Sequence, residues 1–370
     1  MRVVCIGSAM IDIIVMVESR NIERMTMHNA PSSFLLLEQG AKVEAESIST
    51  HCGGGAVNAS VTMRRLGADT AVLAKIGRDD NGERIVEFLA QAGVDTARIV
   101  RASEVATGQA VLVSSHDRNQ TIFTQRGANG FIRPQEIDED AFAAHDLVYV
   151  SALSNRSADC FPLIMKQAMA AGAFVSANPG IRQITSRTEA LLSSISGLGL
   201  LAVNHVEANA LVPAVEGRTA GRRARRLKDA DPAAETPRLM RQGLSFGGFD
   251  MGLVKFLSGL MAVSGIARAA VTDGTEGAFL ADKSGLYFCP SLPVEVMGTA
   301  GAGDAFTATL SLMLASGAEP AHALMGAAVN SAAVVTSPDT THGLLDREAL
   351  DARIAVHSAD LPVQFRAWAD

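Results

Sequence analysis

With 370 residues, 48% of them apolar and only 19% charged, the chain has ample material for one large domain or two and is too hydrophobic to be disordered. A formal net charge of −7 and a pI near 5.7 argue against a nucleic-acid binder. Cys5, Cys52, Cys160 and Cys289 are scattered without a C-x-x-C pair, so they read as free thiols in a reducing cytoplasm, which excludes a disulfide framework and a zinc site.

The N-terminus imitates a signal peptide, with Arg2 followed by an apolar run, but Asp12 interrupts that run and no clean cleavage site follows. A buried first strand over Val3–Ile6 is the better reading. Further strands are expected at Ala71–Ile76, Leu147–Val150, Phe174–Ala177, Leu200–Val203 and Ala269–Thr272. Helices are expected at Ala56–Leu66, Gly82–Ala92, Asp159–Ala171, Ala302–Ala315 and Ala321–Val335. Continuous apolar strands alternating with helices predict an α/β fold, a mainly parallel central sheet with helices on both faces. Residues 33–50 and 110–125 break the rhythm with partly alternating runs, and read as antiparallel strands of a small β lid. No stretch reaches the length of a membrane span.

Residues 213–250 are a second anomaly. Arg222, Arg223, Arg225, Arg226 and Lys228 crowd together before Asp229, Asp231, two prolines and several glycines. Charge runs of this kind are usually solvated, and the cluster lacks the interleaved aromatic residues of a nucleic-acid site. The run Gly243-Leu244-Ser245-Phe246-Gly247 matches the G-x-S-x-G hydrolase elbow, but it follows no convincing strand and reads as accidental. The absence of any Gly-Lys dipeptide excludes a Walker A loop.

The richest segment is Gly298-Thr299-Ala300-Gly301-Ala302-Gly303-Asp304, which opens the apolar run to Ala315. A helix beginning near Ala302 would present free N–H groups and the positive end of its dipole to a phosphate. Asp304 beside such a cradle would repel a phosphate, which makes sense if it must deprotonate an attacking hydroxyl. Its other reading is a first-turn acid placed for the helix dipole.

A second glycine-rich run, His51-Cys52-Gly53-Gly54-Gly55-Ala56-Val57-Asn58, opens a helix and leads through Leu66-Gly67 to Ile76-Gly77-Arg78-Asp79-Asp80-Asn81-Gly82. Together with the Gly298–Asp304 run, Asn204-His205-Val206-Glu207 and Val271-Thr272-Asp273-Gly274, this resembles the ribokinase-like (PfkB) carbohydrate kinases, from about Val3 to Leu345. The resemblance implies a single ribokinase-like domain over 1–370, with lid segments near 13–50 and 103–128 and a basic insertion near 213–250.

It further implies an ATP-dependent phosphotransferase acting on a hydroxyl of a small sugar. The alternatives are a nucleoside kinase of the same fold, with Phe34, Phe123 or Phe131 stacking on the base, and a nucleotide-binding regulator without turnover. By the same resemblance Asp304 would be the general base, with the amides of Gly301, Ala302 and Gly303 as anion hole. Asp12, Gly53, Gly54 and Asn58 would bind the acceptor. Asn204, Thr272, Gly274 and Asn330 would flank ATP, and Glu207 would organise Mg²⁺. Asn58 and Asn204 also suit plain helix caps. A homodimer through the lid and a cytoplasmic location fit the family. Two departures stand out. Gly298 replaces the first Asp of the family's second signature, which argues against a monovalent-cation site, and Ser151 stands where ribose-specific members place a carboxylate.

Overall fold

A strand buried on both faces can be followed by a parallel neighbour only if a crossover helix carries the chain back. In the computed structural model, Asp69–Leu73, Arg2–Ile6, Leu147–Val150, Phe174–Ala177, Leu200–Asn204 and Ala269–Thr272 lie side by side in that order, all parallel. Three antiparallel strands, Ala278–Ala281, Gly285–Cys289 and Gln364–Ala367, extend this sheet to nine. The structure describes residues 1–17, 23–26, 33–36, 40, 42–115, 120–138, 140–221, 225–228, 236–337, 339–360 and 362–369.

Successive strand residues serve opposite cores. Val3 and Cys5 join the cluster containing Val57, Leu89, Leu310, Leu324 and Leu350, whereas Val4 and Ile6 join that of Ile164, Leu191, Leu211 and Leu257. Helices Gly55–Arg65, Asp80–Gln91, Ala302–Ala315, Pro320–Val334 and Arg347–Asp360 cover the first face. Phe161–Ala170, Ile181–Ser186, Thr188–Ser194, His205–Thr219 and Leu253–Ser264 cover the second.

The expected strand Ala71–Ile76 is two strands. Asp69–Leu73 belongs to the main sheet, and Lys75–Gly77 turns away to pair with Val100–Ala102. Lys75 explains the break. Its buried ammonium donates to the Phe131 carbonyl at 2.9 Å and pairs with Glu136, partners that lie off the sheet. Asp79 then caps the next helix by accepting from the Gly82 amide at 2.9 Å, and also accepts from the Thr107 amide at 2.8 Å. Burial works to raise the Asp79 pKa, but the hydrogen bonds from Thr107 and Gly82 outweigh it and hold the carboxyl low. The Ile-Gly-x-Asp-x-x-Gly run thus ties a core helix to the base of the lid.

The lid is a four-stranded sheet in the order Gln120–Gln125, Gly108–Ser115, Met10–Val17, Ala45–Gly53. Its outer pairs are antiparallel, as expected, but the central pair, Met10–Val17 with Gly108–Ser115, is parallel. Asp12 pairs with Ala110 and His51, which places it on the face carrying Met10, Ile14 and Leu112, and Ala300 packs against that face.

The 213–250 segment departs from a solvated insertion. Residues up to Thr219 continue the helix His205–Thr219, burying Val215. The Lys228 amide donates to the Ala367 carbonyl at 2.9 Å, the Ala369 amide donates to that of Arg226 at 2.7 Å, and the Arg225 guanidinium lies 5.5 Å over the Trp368 ring. The short helix Arg238–Gln242 and the hairpin Leu244–Phe246 with Phe249–Met251 bury Leu239, Leu244 and Met251 in the second core. These apolar anchors hold the segment down, while Arg222, Arg223, Asp229 and Asp231 lie outside the described residues. Ser245 sits exposed in that hairpin, so the G-x-S-x-G match forms no strand-to-helix elbow.

Candidate active site

Two helix N-termini meet at the C-terminal ends of the parallel strands. Ala302–Ala315 starts after Gly301, which takes a left-handed conformation (φ 80°); a methyl group there would lie 2.8 Å from the Thr340 Cβ, so both space and backbone favour glycine. Its first amides, those of Ala302, Gly303 and Asp304, precede the first i→i−4 bond, from the Ala305 amide to the Gly301 carbonyl at 2.9 Å. Gly55–Arg65 starts after Gly54 (φ 100°), where a side chain would press within 2.6 Å of the Ser8 carbonyl. A side chain on Gly53 would overlap the Asp12 carboxylate, so the glycine pair leaves room for that acid.

The helices are joined by one hydrogen bond. Asn58 Nδ2 donates to Asp304 Oδ2 at 2.8 Å, and Asn58 Oδ1 is buried without a partner. Asn58 therefore spends its side chain across the site and does not cap its own helix. Burial pushes the Asp304 carboxyl up, and the bond from Asn58 only partly opposes this. Asp12 is buried and raised to about 7, first by desolvation and then by the charge of Asp304. Ser151, which closes the strand Leu147–Val150, lies beside Gly55 and donates to the Ile6 carbonyl at 3.2 Å. Asp304, Asn58, Asp12, Gly53 and Gly54 are thus brought together.

Beyond Asp304 lies a cavity of about 510 Å³ whose wall includes Thr272, Gly274, Val296, Ala302, Gly303 and Phe306. It is largely apolar, with threonine and serine hydroxyls and backbone groups spaced along it, which suits a flat heteroaromatic ring. Thr272 and Gly274, expected beside ATP, line this cavity. Asn330 does not. It is fully buried, donates to Thr309 Oγ1 at 2.9 Å and accepts from the Leu345 amide at 3.0 Å, so its amide is consumed in holding two helices together. The next residue, Ser331, reaches the cavity instead and donates to the Ala302 carbonyl at 3.0 Å. Sequence reasoning missed Ser331, Phe306 and Val296. Only the adjacency of Ser331 to Asn330 could have signalled one of them.

Asn204 and Glu207 form a reciprocal capping box, Asn204 Oδ1 accepting from the Glu207 amide and Glu207 Oε2 from the Asn204 amide, each at 2.9 Å. Glu207 is nonetheless raised to about 7, by desolvation first, with Asp304 adding to it and the amides of Asn204 and Ile181 opposing. Capping engages Oε2. Among the described residues no three His, Cys, Asp or Glu side chains group as a metal cage. One buried acid at a helix N-terminus suits Mg²⁺ held mainly by water and phosphate, the way that ion usually binds. At Gly298 the Val335 carbonyl already accepts from the amides of Met297 (2.7 Å) and Gly298 (3.3 Å).

A mainly parallel sheet with a β lid, and a buried carboxylate beside helix N-termini and a nucleotide-sized cavity, fit a phosphotransferase architecture. The family model described as pfkB family carbohydrate kinase matches residues 1–228 and 257–347, and the chain belongs to that family as a sugar or nucleoside kinase. The chain is 29% identical over 260 residues to the ATP-dependent ribose-1-phosphate kinase of Halopiger xanaduensis, covering 69% of this chain and 71% of that one. Arabidopsis thaliana ribokinase, solved with ribose and ATP, superposes with a TM-score of 0.69 at 19% identity over 95% of this chain and 98% of that one. The nucleoside kinase of Methanocaldococcus jannaschii superposes with a TM-score of 0.71 at 18% identity, covering 96% of this chain and 98% of that one. Among the described residues no helix is long and apolar enough to cross a membrane.

Proposed function

We propose that this kinase transfers the γ-phosphoryl group of ATP to a hydroxyl of a small sugar, with Asp304 as the base. The observation that carries this reading is the position of Asp304, bonded to Asn58 on the acceptor side and one residue from Gly303, which lines the cavity. The acceptor hydroxyl gives its proton to Asp304 as its oxygen bonds to the γ-phosphorus. The bond from that phosphorus to the β–γ bridging oxygen breaks, and ADP leaves with the electron pair. The free amides at the start of Ala302–Ala315 would meet the charge on the transferred group. Asp12 would accept from sugar hydroxyls, and another hydroxyl would supply the donor that Asn58 Oδ1 lacks. Glu207 would hold hydrated Mg²⁺, which supplies charge neutralisation at the phosphates.

The relatives are named for a sugar phosphate, for ribose and for nucleosides, so their names alone do not select the acceptor. Against a nucleoside, Phe123 lies on the lid face opposite Asp12 and cannot stack on a base held there, while the Phe34 side chain lies outside the described residues. Phe131 instead ends a short 3₁₀ turn with the Arg156 guanidinium 6.0 Å from its ring centre. A cytoplasmic location and a homodimer through the lid belong to this same reading.

Asp304→Asn is expected to lower kcat at least about 10²-fold while the Kd for ATP stays within about twofold. Asn keeps the side chain's size but accepts no proton. A variant within a few-fold of the parent in a coupled ADP-release assay would remove Asp304 from the chemistry. With the Val335 carbonyl doubly engaged and no carboxylate at Gly298, exchanging K⁺ for tetramethylammonium at constant ionic strength should change the rate less than about threefold. Saturable K⁺ activation would refute that expectation.

A further inference from the structure

The rim of the central sheet away from Asp304 holds a second cavity. Ala269–Thr272 runs antiparallel to Ala278–Ala281, with Thr272 opposite Ala278 and Ala269 opposite Ala281. Thr272 and Ala278 end at the large cavity described above and help to line it. At the other end, Ile266 before the first of these strands and Lys283 after the second line a separate cavity of about 450 Å³. Thr219, the last residue of the helix His205–Thr219, lines it too. Glu207 stands more than three turns earlier on that helix, roughly 18 Å away at about 1.5 Å per residue. This cavity is therefore no part of the acceptor or nucleotide side.

Its lining is part charged and part apolar. Arg225, Lys255 and Lys283 supply three cations, and among the described residues no acidic side chain lines it, although the chain carries a net charge of −7. Glu216 answers Lys255 at 2.7 Å. Among the described residues no acid pairs with Arg225 or Lys283. The neighbouring Asp282 instead turns its carboxylate onto the amides of Ser284 and Gly285, at 2.7 and 3.1 Å. Met261, Ala262, Ile266 and Trp368 supply the apolar part. Trp368, the one tryptophan of the chain, is firmly anchored. Its Nε1 donates to the Asp282 carbonyl at 2.8 Å and its amide to that of Ser284 at 3.2 Å. Leu227 bridges to Trp368 in antiparallel fashion, and close by the Arg225 guanidinium stands 5.5 Å over the indole. Cations gathered at one cavity without matching acids repel one another in the empty protein, and an anion among them reverses the sign of that contribution.

We propose that this cavity is a second ligand site, which takes a small phosphate ester with a flat apolar body, of the nucleoside monophosphate class. The phosphate lies among Arg225, Lys255 and Lys283, whose N–H donors suit its oxygens, and the flat body packs against the indole, Met261 and Ile266. A phosphate ester carries about −1.5 to −2 charges at neutral pH, which answers this group of cations better than a single carboxylate does. Bare phosphate would leave the apolar lining unused, and an uncharged ring would leave the cations unanswered. The volume is that of a small-molecule site. No step of phosphoryl transfer passes through this cavity, so the inference is independent of the role given to Asp304.

Trp368 provides the probe, since all the tryptophan fluorescence of the chain arises at this cavity. The full-length protein is titrated with AMP, UMP, the matching nucleosides and inorganic phosphate, following that fluorescence and, in parallel, the heat of binding. Each titration is repeated with a saturating non-hydrolysable ATP analogue. At least one monophosphate is expected to change the fluorescence saturably and to bind about tenfold or more tightly than its nucleoside or inorganic phosphate, with or without the analogue. Arg225→Gln and Lys283→Gln should each weaken that binding about fivefold or more, while kcat and both KM values measured without monophosphate stay within about twofold. Arg225→Gln also removes the cation over the indole, so the decisive variant is Lys283→Gln, whose exposed side chain holds nothing else together among the described residues. Unchanged affinity in that variant would overturn the proposal. Equal binding of inorganic phosphate would overturn it as well, as would binding that the ATP analogue abolishes. Lys283-dependent monophosphate binding in a protein that turns over no sugar would leave this inference standing and the kinase reading refuted. Turnover of a sugar without such binding would do the reverse.

Discussion

Three acids, Asp12, Glu207 and Asp304, are buried near one another, and Asp12 and Glu207 each feel the charge of Asp304. Their pKa values are raised chiefly by burial, Asp12 and Glu207 to about 7, so the folded state holds protons that the unfolded chain has already released. Such groups favour folding below the carboxylate range and lose that advantage as pH rises toward 7, leaving a standing penalty above it. The protein without ligand should therefore melt at lower temperature as pH is raised from about 5 to about 8. Asp12→Asn should flatten that dependence and add about 1–3 kcal/mol of stability at about pH 8, while weakening acceptor binding. Parallel melting curves for parent and variant across the pH series would show that Asp12 is not held against its charge. At this scale the sequence was a good guide wherever chemistry and position coincided. Asp304 and Asn58 each lie within one helical turn of a glycine, and Asp12 faces Gly53 on the neighbouring lid strand, where the missing side chain leaves room for its carboxylate. Asn330 misled because an amide on a helix reads the same whether it faces a ligand or locks two helices, and only its partners Thr309 and Leu345 decide.

Among the elements, the parallel strands and their helices were legible because each is a continuous apolar run between turn residues, and the five expected helices are all present with closely similar ends. The antiparallel edge escaped notice. Ala278–Ala281 and Gly285–Cys289 are short, and Gln364–Ala367 lies far along the chain from its partner, so no local period reveals their pairing. The 213–250 segment was misread for a related reason. Its charges dominate the local composition, whereas its structure is set by a few apolar anchors, Leu239 and Leu244 with Met251 just beyond. Replacing the whole segment with a flexible linker should therefore destabilise the domain, since it would cut away buried side chains of the second core. Leu244→Ala, a change confined to one anchor, is expected to cost about 2–4 kcal/mol in urea unfolding. A cost below about 0.5 kcal/mol would mean that the hairpin is loosely attached. The Arg238 pair points the same way: Asp273, almost fully buried beside Thr272 and Gly274, is bonded by Arg238, so the segment also braces the cavity that Thr272 and Gly274 line.

For the whole molecule, the lid raises a problem of solvation that the single chain leaves open. Its inner face packs Met10, Ile14, Ala110 and Leu112 against Ala300. Its outer face carries Ile13, Val15, Val111 and Val113, all half-buried, with Phe123 58% and Ile48 66% exposed. In this register these side chains point together, since Val15 pairs with Ile48 and Val111 with both Ile13 and Phe123. A contiguous apolar sheet face of this kind is unusual on a monomer and marks a contact surface. A two-fold dimer would cover the same face on both copies at once. It would also brace a sheet whose strands leave the domain on single connections, keeping Asp12 at a fixed distance from Asp304. Size-exclusion chromatography with light scattering should then give a dimer for the parent. Ile48→Glu combined with Phe123→Glu should give a monomer with the fold retained by circular dichroism, because both side chains are exposed in the single chain. The acceptor KM should rise about tenfold or more in that monomer, while the Kd for ATP, which the proposed function seats away from the lid against Thr272, Gly274 and Phe306, should move less than about twofold. A parent that stays monomeric at micromolar concentration would exclude the pairing, and a monomeric variant with unchanged acceptor KM would separate the lid's outer face from catalysis.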